Sequence, residues 1–280
     1  MITQASIDEW YPVAWFGGLE LNAPRETVLM GQEITITRLD EGNAEVIGPD
    51  GSKLSSCTRF DHLWTSLGKP VHDVFEMPEA LHDGRRHVPC GCIKVRCSPL
   101  RAVENFLDIA HFPYVHTGIL GEEDHPEVRA YKVSEEDNEI WARKVQFFQP
   151  QAAVSAEGGI ITDYMYRVPA PTVAVLYKTC PAKEDEWDII TLFVQPTGEQ
   201  ECAVWPWMSL YDDENGHTDL IHFQQTIFLQ DRSILENQIP KLLPLDPKSE
   251  VPTKADLTSI AYRRWLKKRG LYYGAETEAA

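Results

Sequence analysis

Short runs of apolar and β-branched residues, broken by turn signals, open the chain. Thr27–Leu29 and Ile34–Thr37 are separated by Gly31, and Gly42 and the Pro49-Asp50-Gly51 triplet follow. This pattern predicts short strands over residues 10–60. From about residue 70 to 97 it turns irregular, with Pro70, Pro78, Gly84 and Pro89, as expected of a domain boundary or a remodelled linker. Residues 100–116 predict a helix. Strand-like runs return at Glu139–Phe148, Met165–Val168, Thr172–Tyr177, Asp188–Val194 and Cys202–Leu210. Pro169, Pro171, Pro181, Pro196 and Gly198 punctuate them, which predicts an antiparallel meander. Residues 216–238 and Asp256–Lys268 predict two further helices. A helix, several strands and then long C-terminal helices indicate an α+β fold, not alternating βαβ units.

Two of these helices carry polar residues where apolar ones are expected. In the first, Asn105, Asp108 and His111 are spaced three apart, which on a helix puts them on one face. His116 lies five beyond His111, a rotation of about 140° on a regular helix. Pro113 stands between them and predicts a break that can bring His116 round to meet His111. In the second, an apolar stripe of Leu220, Phe223, Ile227, Ile234 and Leu235 has a gap at Asp231, and Gln224 falls on the same face. A carboxylate on a buried helix face is expensive unless it is paired or bound to a metal. An ion pair with Arg263 or Arg264 is the plain alternative, as two buried structural histidines are for His111 and His116. Taken together, His111, His116 and Asp231 make a 2-His-1-carboxylate set, the donor type that holds Fe(II) with open positions. Trp205, Trp207, Phe223 and Phe228 either wall a flat pocket or belong to the core.

Composition bounds the function. The 280 residues carry 26 Lys+Arg against 43 Asp+Glu, a net charge of −17, which argues against nucleic acid or an anionic membrane surface as partner. No apolar run approaches the roughly 18 residues of a membrane span. The N-terminus lacks a basic, then apolar, leader pattern, so a cytoplasmic location and six reduced cysteines are expected.

The segment ENFLDIAHFPYVHTGILG (104–121) resembles the Asn-x2-Asp-x2-His-x4-His signature of Rieske non-haem iron oxygenases. LQDRSILENQIP (229–240) resembles their later carboxylate-bearing segment, EWYPVAWFGGLE (9–20) their N-terminal entry, and IAYRRWLKKRG (260–270) the closing helix of their N-demethylase branch. The resemblance implies a helix-grip antiparallel sheet in a catalytic domain over 98–280, with His111, His116 and Asp231 as iron ligands. It implies Asp108 as the carboxylate that bridges to an electron-donating cluster, and Asn105 as a polar residue near the iron. The implied reaction is oxidative N-demethylation, of a methylxanthine in the branch resembled, with O2 as co-substrate. Gln224, on the same face as Asp231, is a candidate substrate contact through an amide that both donates and accepts, or else a helix-packing amide. Demethylation or hydroxylation of another aromatic, or a non-catalytic role within such a complex, are the alternatives.

The sequence departs from the family in one respect. A Rieske [2Fe–2S] site needs Cys-x-His and, further on, Cys-x2-His. Around Cys57 the chain reads SSCTRFDHLWTSLG, and no Cys-x2-His occurs anywhere. Residues 1–97 therefore predict a degenerate Rieske-like β domain with no cluster of its own. Zinc at Cys57, Cys90, Cys92 and Cys97, with His62 or His87, is disfavoured by the Cys-x-Cys spacing, and ordinary buried thiols are expected. Electrons must then come from a separate Rieske-containing reductase drawing on NAD(P)H and docking near Asp108. An accessory structural subunit and a trimer-based homo- or hetero-oligomer complete the expected assembly.

Overall fold

The computed structural model describes residues 2–151, 158–246 and 249–276. After a single helical turn, α1 (Gln4–Ile7), come six short strands: β1 (Tyr11–Trp15), β2 (Pro24–Leu29), β3 (Gln32–Arg38), β4 (Ala44–Ile47), β5 (Ser56–Arg59) and β6 (His62–Thr65). They form two three-stranded sheets, β1-β6-β5 and β2-β3-β4. The sheets share a core that includes Val13, Leu29, Ile34, Ile36, Val46 and Leu63.

The larger, C-terminal part is built on one antiparallel sheet. Two strands from the irregular region, β7 (Arg86–Pro89) and β8 (Ile93–Val95), pair with successive stretches of one long strand, β14 (Glu201–Leu210). The remaining strands are β9 (Lys132–Glu136), β10 (Glu139–Gln149), β11 (Ile160–Ala170), β12 (Val173–Thr179) and β13 (Trp187–Gly198). The order is β7-β14-β13-β12-β11-β10-β9. Residues 86–95, on the N-terminal side of the expected boundary at 97, thus belong to this sheet. The prolines do not all punctuate: Pro169 and Pro196 lie inside strands, each at a register irregularity where a missing N–H is tolerated.

The helices are α2 (Pro99–Leu107), the one-turn α3 (Phe112–Val115), α4 (His217–Leu235) and α5 (Leu257–Arg269). Strand alternation gives the sheet two different faces. Tyr164, Tyr166, Leu192, Val194 and Val204 meet Leu100, Val103 and Leu107 of α2 and Tyr262, Trp265 and Leu266 of α5. On the other face Phe193, Trp205 and Trp207 pack with Phe60, Trp64 and Met77 of the N-terminal half. Trp205 and Trp207 are therefore core between the two halves and do not wall the pocket, because they alternate away from the helices. The helix-grip expectation holds: the helices lie on the first face, and the site lies between helix and sheet. No helix among the described residues is long and apolar enough to cross a membrane.

Local signals set the ends of α2 and α5. Ser98 caps α2, its Oγ accepting from the N–H of Leu100 at 3.1 Å, with Pro99 next, where a missing N–H costs nothing. Gly270 ends α5 in the left-handed conformation at φ +69°. The two helices are fastened by a buried ion network. Arg101 donates to Glu104 at 3.0 Å and to Glu250 at 2.7 Å, and Arg263 donates to both of the same carboxylates. Arg263 is thus spoken for by Glu104 and Glu250, and not by Asp231. Removing one partner strands a buried charge, so Glu104→Ala should lower unfolding free energy by about 3–5 kcal/mol in urea denaturation.

Candidate metal centre and its cavity

The signature segment does not form one helix. Asp108 leaves α2 with extended backbone, φ −87° and ψ 125°. The break thus precedes the proline, and Pro113 instead sits in the first turn of α3, where its ring is accepted. Asp108 and His111 meet across this turn and not along a helical face. The Asp108 carboxylate accepts from Ala110 N–H at 2.8 Å through Oδ1 and stands 3.0 Å from His111 Nδ1 through Oδ2. His116 follows α3, and the loop beyond it folds back on the helix. It can do so because residue 121 is glycine: a Cβ there would come within 2.6 Å of Pro113 N.

Asp231 arrives from the opposite side, on α4. The buried face of this helix is Leu220, Gln224, Phe228, Asp231 and Leu235, whereas Ile234 of the expected stripe is 48% exposed. Gln224 and Asp231 do share the buried face, two turns apart. Asp231 Oδ1 stands 3.2 Å from His111 Nε2 and 3.0 Å from His116 Nε2, and the two Nε2 atoms are 3.2 Å apart. Asp231 Oδ1 is buried and has no well-formed hydrogen bond. Burial raises the Asp231 carboxyl, but the His111 and His116 imidazoles beside it outweigh this and hold it below its ordinary value. Burial likewise pushes the His111 imidazole towards neutrality, and the Asp108 and Asp231 carboxylates reverse that, to about 9.

This donor set fits a metal ion. Three ligands at right angles around an ion with bonds of about 2.1 Å would lie about 3.0 Å from one another, close to the separations seen. Among the described residues, His111, His116 and Asp231 are the one group of three or more His, Cys, Asp or Glu that meets this requirement. Each imidazole is held in the tautomer that turns Nε2 inward. Asp108 holds His111 from behind, and Gln230 Oε1 accepts from His116 Nδ1 at 2.8 Å. Gln230 was not legible as a functional residue, although it directly precedes Asp231; on a helix, adjacent residues point in different directions. The six cysteines are free, and Cys57, Cys90, Cys92 and Cys97 belong to no such group.

The triad opens into a cavity of about 550 Å³ between α4 and the sheet. Phe223, Ile227 and Phe228 line the helix side, Tyr164, Tyr166 and Leu176 the sheet side, and Asn105 and Gln224 add polar atoms. Asp108 does not line it and keeps a quarter-exposed carboxylate towards solvent.

The family model described as vanillate O-demethylase oxygenase C-terminal domain matches residues 95–270. The chain belongs to the Rieske-type non-haem iron oxygenases. It is similar to the probable methylxanthine N7-demethylase NdmC of Pseudomonas sp. strain TJI-51, 40% identical over 270 residues, 96% of each chain. It is also similar to methylxanthine N3-demethylase NdmB of Pseudomonas putida, 26% identical over 61% of this chain and 46% of that one. The solved structure of NdmA of Pseudomonas putida CBB5 with caffeine shares the fold, with a TM-score of 0.77, 16% identity and coverage of 99% and 98% of the two chains. This oxygenase is a monooxygenase-class enzyme with a mononuclear iron site and no Rieske ligand set of its own.

Asp231→Ala and His116→Ala should each leave a folded chain with less than about one-tenth of the wild-type iron, measured by metal analysis after desalting. Gln230→Leu keeps the three donors but frees the His116 ring. It should weaken iron binding by about 10–100-fold in a chelator competition.

Proposed function

We propose that this chain is the catalytic oxygenase component of a multicomponent N-demethylase acting on a methylxanthine, converting 7-methylxanthine to xanthine and formaldehyde. The observation that carries the reading is the 2-His-1-carboxylate set opening into a largely apolar cavity. The 40% identity to a probable N7-demethylase over 96% of both chains supports the substrate. His111, His116 and Asp231 are the ligands in this proposal. Fe(II) held by them supplies the oxidation of the methyl C–H by O2. One oxygen atom ends in formaldehyde and the other in water, with two electrons and two protons taken up.

The protein's own contribution is placement and exclusion. Phe223, Ile227 and Phe228 shield the reacting methyl from water, and Gln224 offers an amide that can both donate and accept to a purine edge. Asn105 adds a polar group at the cavity wall. Asp108 faces the other way: one oxygen fixes His111 while the carboxylate remains open to solvent. That suits the bridging role, in which an outside cluster delivers electrons through Asp108 and His111. The two small sheets ahead of residue 86 are, in this reading, the remnant of the cluster-bearing domain. Family membership calls for a reductase. We propose that it carries the missing Rieske centre, draws on NAD(P)H and docks over Asp108, with trimer-based assembly and an accessory subunit as further elements of the complex.

Formaldehyde release from 7-methylxanthine by iron-loaded protein with a Rieske-containing reductase tests the reading. One formaldehyde per xanthine is expected; no product with both components competent would sink it, and release from a methoxybenzoate instead would move the substrate to O-methyl aromatics. Asp108→Asn should keep its iron by metal analysis yet lose at least about 100-fold in turnover with the reductase.

A further inference from the structure

Gln149 ends β10 against the cavity, remote in sequence from the ligand set. Val145, Phe147 and Gln149 alternate along one face of that strand and all are buried, so an amide stands where the row predicts a third apolar residue. It lines the cavity from the sheet side, opposite Gln224 on α4. Tyr164 on β11 donates to its Oε1 at 2.8 Å. The phenol is the donor here: burial pushes it well above its ordinary value and keeps the proton on, and this O–H has no other acceptor among the described residues. That bond fixes which way the amide points. Its nitrogen has no hydrogen-bond partner among the described residues, yet it is not enclosed by protein: it meets open space, and the space Gln149 lines is the cavity. One ring, Phe112, joins the pair to the metal centre, 6.5 Å from Tyr164 and 5.8 Å from His116 between centroids. Replacing both members of a buried hydrogen-bonded pair by apolar groups of the same shape is nearly neutral in stability, so packing alone gives little reason for this one.

We propose that Gln149 is a specificity-determining contact, its amide N–H donating to a ring carbonyl of the substrate. The assignment rests on the methylxanthine reading and narrows it. With Oε1 taken by Tyr164, Gln149 has only N–H donors left to offer, so it recognises an acceptor. A xanthine carries two carbonyls on its six-membered ring, so the sheet wall can hold one while the Gln224 amide serves another part of the ring. Tyr164 acts through Gln149 as a positioning residue: without its hydroxyl the amide is free to turn over. A ring with no carbonyl at this place leaves the donor unpaired in a buried site, and a purine lacking it is refused for that reason.

Calorimetric titration of the iron-loaded full chain without oxygen tests this with three ligands that share the N7-methyl group. They are 7-methylxanthine, 7-methylhypoxanthine, which lacks the 2-carbonyl, and 7-methyl-2-oxopurine, which lacks the 6-carbonyl. The double change Gln149→Leu with Tyr164→Phe removes both partners together and strands neither. It should weaken 7-methylxanthine and one of the two analogues about tenfold. The other analogue, which lacks the carbonyl that Gln149 meets, should stay within about twofold. Tyr164→Phe alone should weaken the same two ligands about threefold. A purely structural role for the pair would weaken all three alike. Equal losses for all three ligands, or loss for none, overturn the assignment. Formaldehyde release from 7-methylxanthine without the selective loss removes only this contact. The selective loss with no formaldehyde removes the reaction and keeps the contact. Binding of none of the three by wild type removes both.

Discussion

A carboxylate buried on α4 faces two imidazoles from the other side of the cavity, and much of the structure exists to hold that arrangement. Three donor atoms within about 3 Å of each other in a low-dielectric interior are poorly satisfied by one another. Asp231 Oδ1 has no good hydrogen bond, and His111 is driven towards its charged form by two carboxylates. A divalent cation resolves the frustration, because it satisfies all three atoms at once. Keeping the atoms together before the ion arrives needs rigid supports. The Arg101, Glu104, Arg263 and Glu250 network locks α2 against α5, and the α2 terminus delivers Asp108 and His111. Gln230, on the same helix as Asp231, sets the ring of His116.

From this centre the protein has two directions. Inward, the cavity is lined by Phe223, Ile227, Phe228 and Leu176 with the polar groups of Asn105 and Gln224 among them, the mixture of apolar wall and few polar groups usual for a small-molecule site. Outward, the Asp108 carboxylate meets His111 Nδ1 at 3.0 Å and keeps a quarter of its side chain exposed, outside the cavity lining.

Much of this was legible in the sequence, for identifiable reasons. Asp231 stood out because it interrupts an apolar helical stripe, and His111 and His116 through their spacing on either side of Pro113; the structure brings these three together. The geometry between them was not legible. A three-residue spacing suggested one helical face through Asp108 and His111, but Asp108 itself turns the chain, and its carboxylate bonds to Ala110 N–H compete with helix continuation. Trp205 and Trp207 were ambiguous because period-two alternation does not say which sheet face holds the ligand. The strands at 86–95 were hidden by Gly84 before them, Pro89 within β7 and Cys90-Gly91-Cys92 between them, and their identity depends on pairing with β14, more than 100 residues away.

The same sheet also explains why a domain without its cluster remains. One sheet face makes the site; the other carries Val173, Val175, Phe193, Trp205 and Trp207, a broad aromatic surface that must be covered. Phe60, Trp64, Val74 and Met77 cover it, and Trp207 Nε1 donates to Asp61 at 2.7 Å. Fully burying each large apolar side chain contributes on the order of 1.5–3 kcal/mol, so losing this cover would cost more than a typical domain's net stability. The packing duty of the N-terminal half thus needs no cluster: the hydrophobic contact that covers the sheet is enough to hold that half in place.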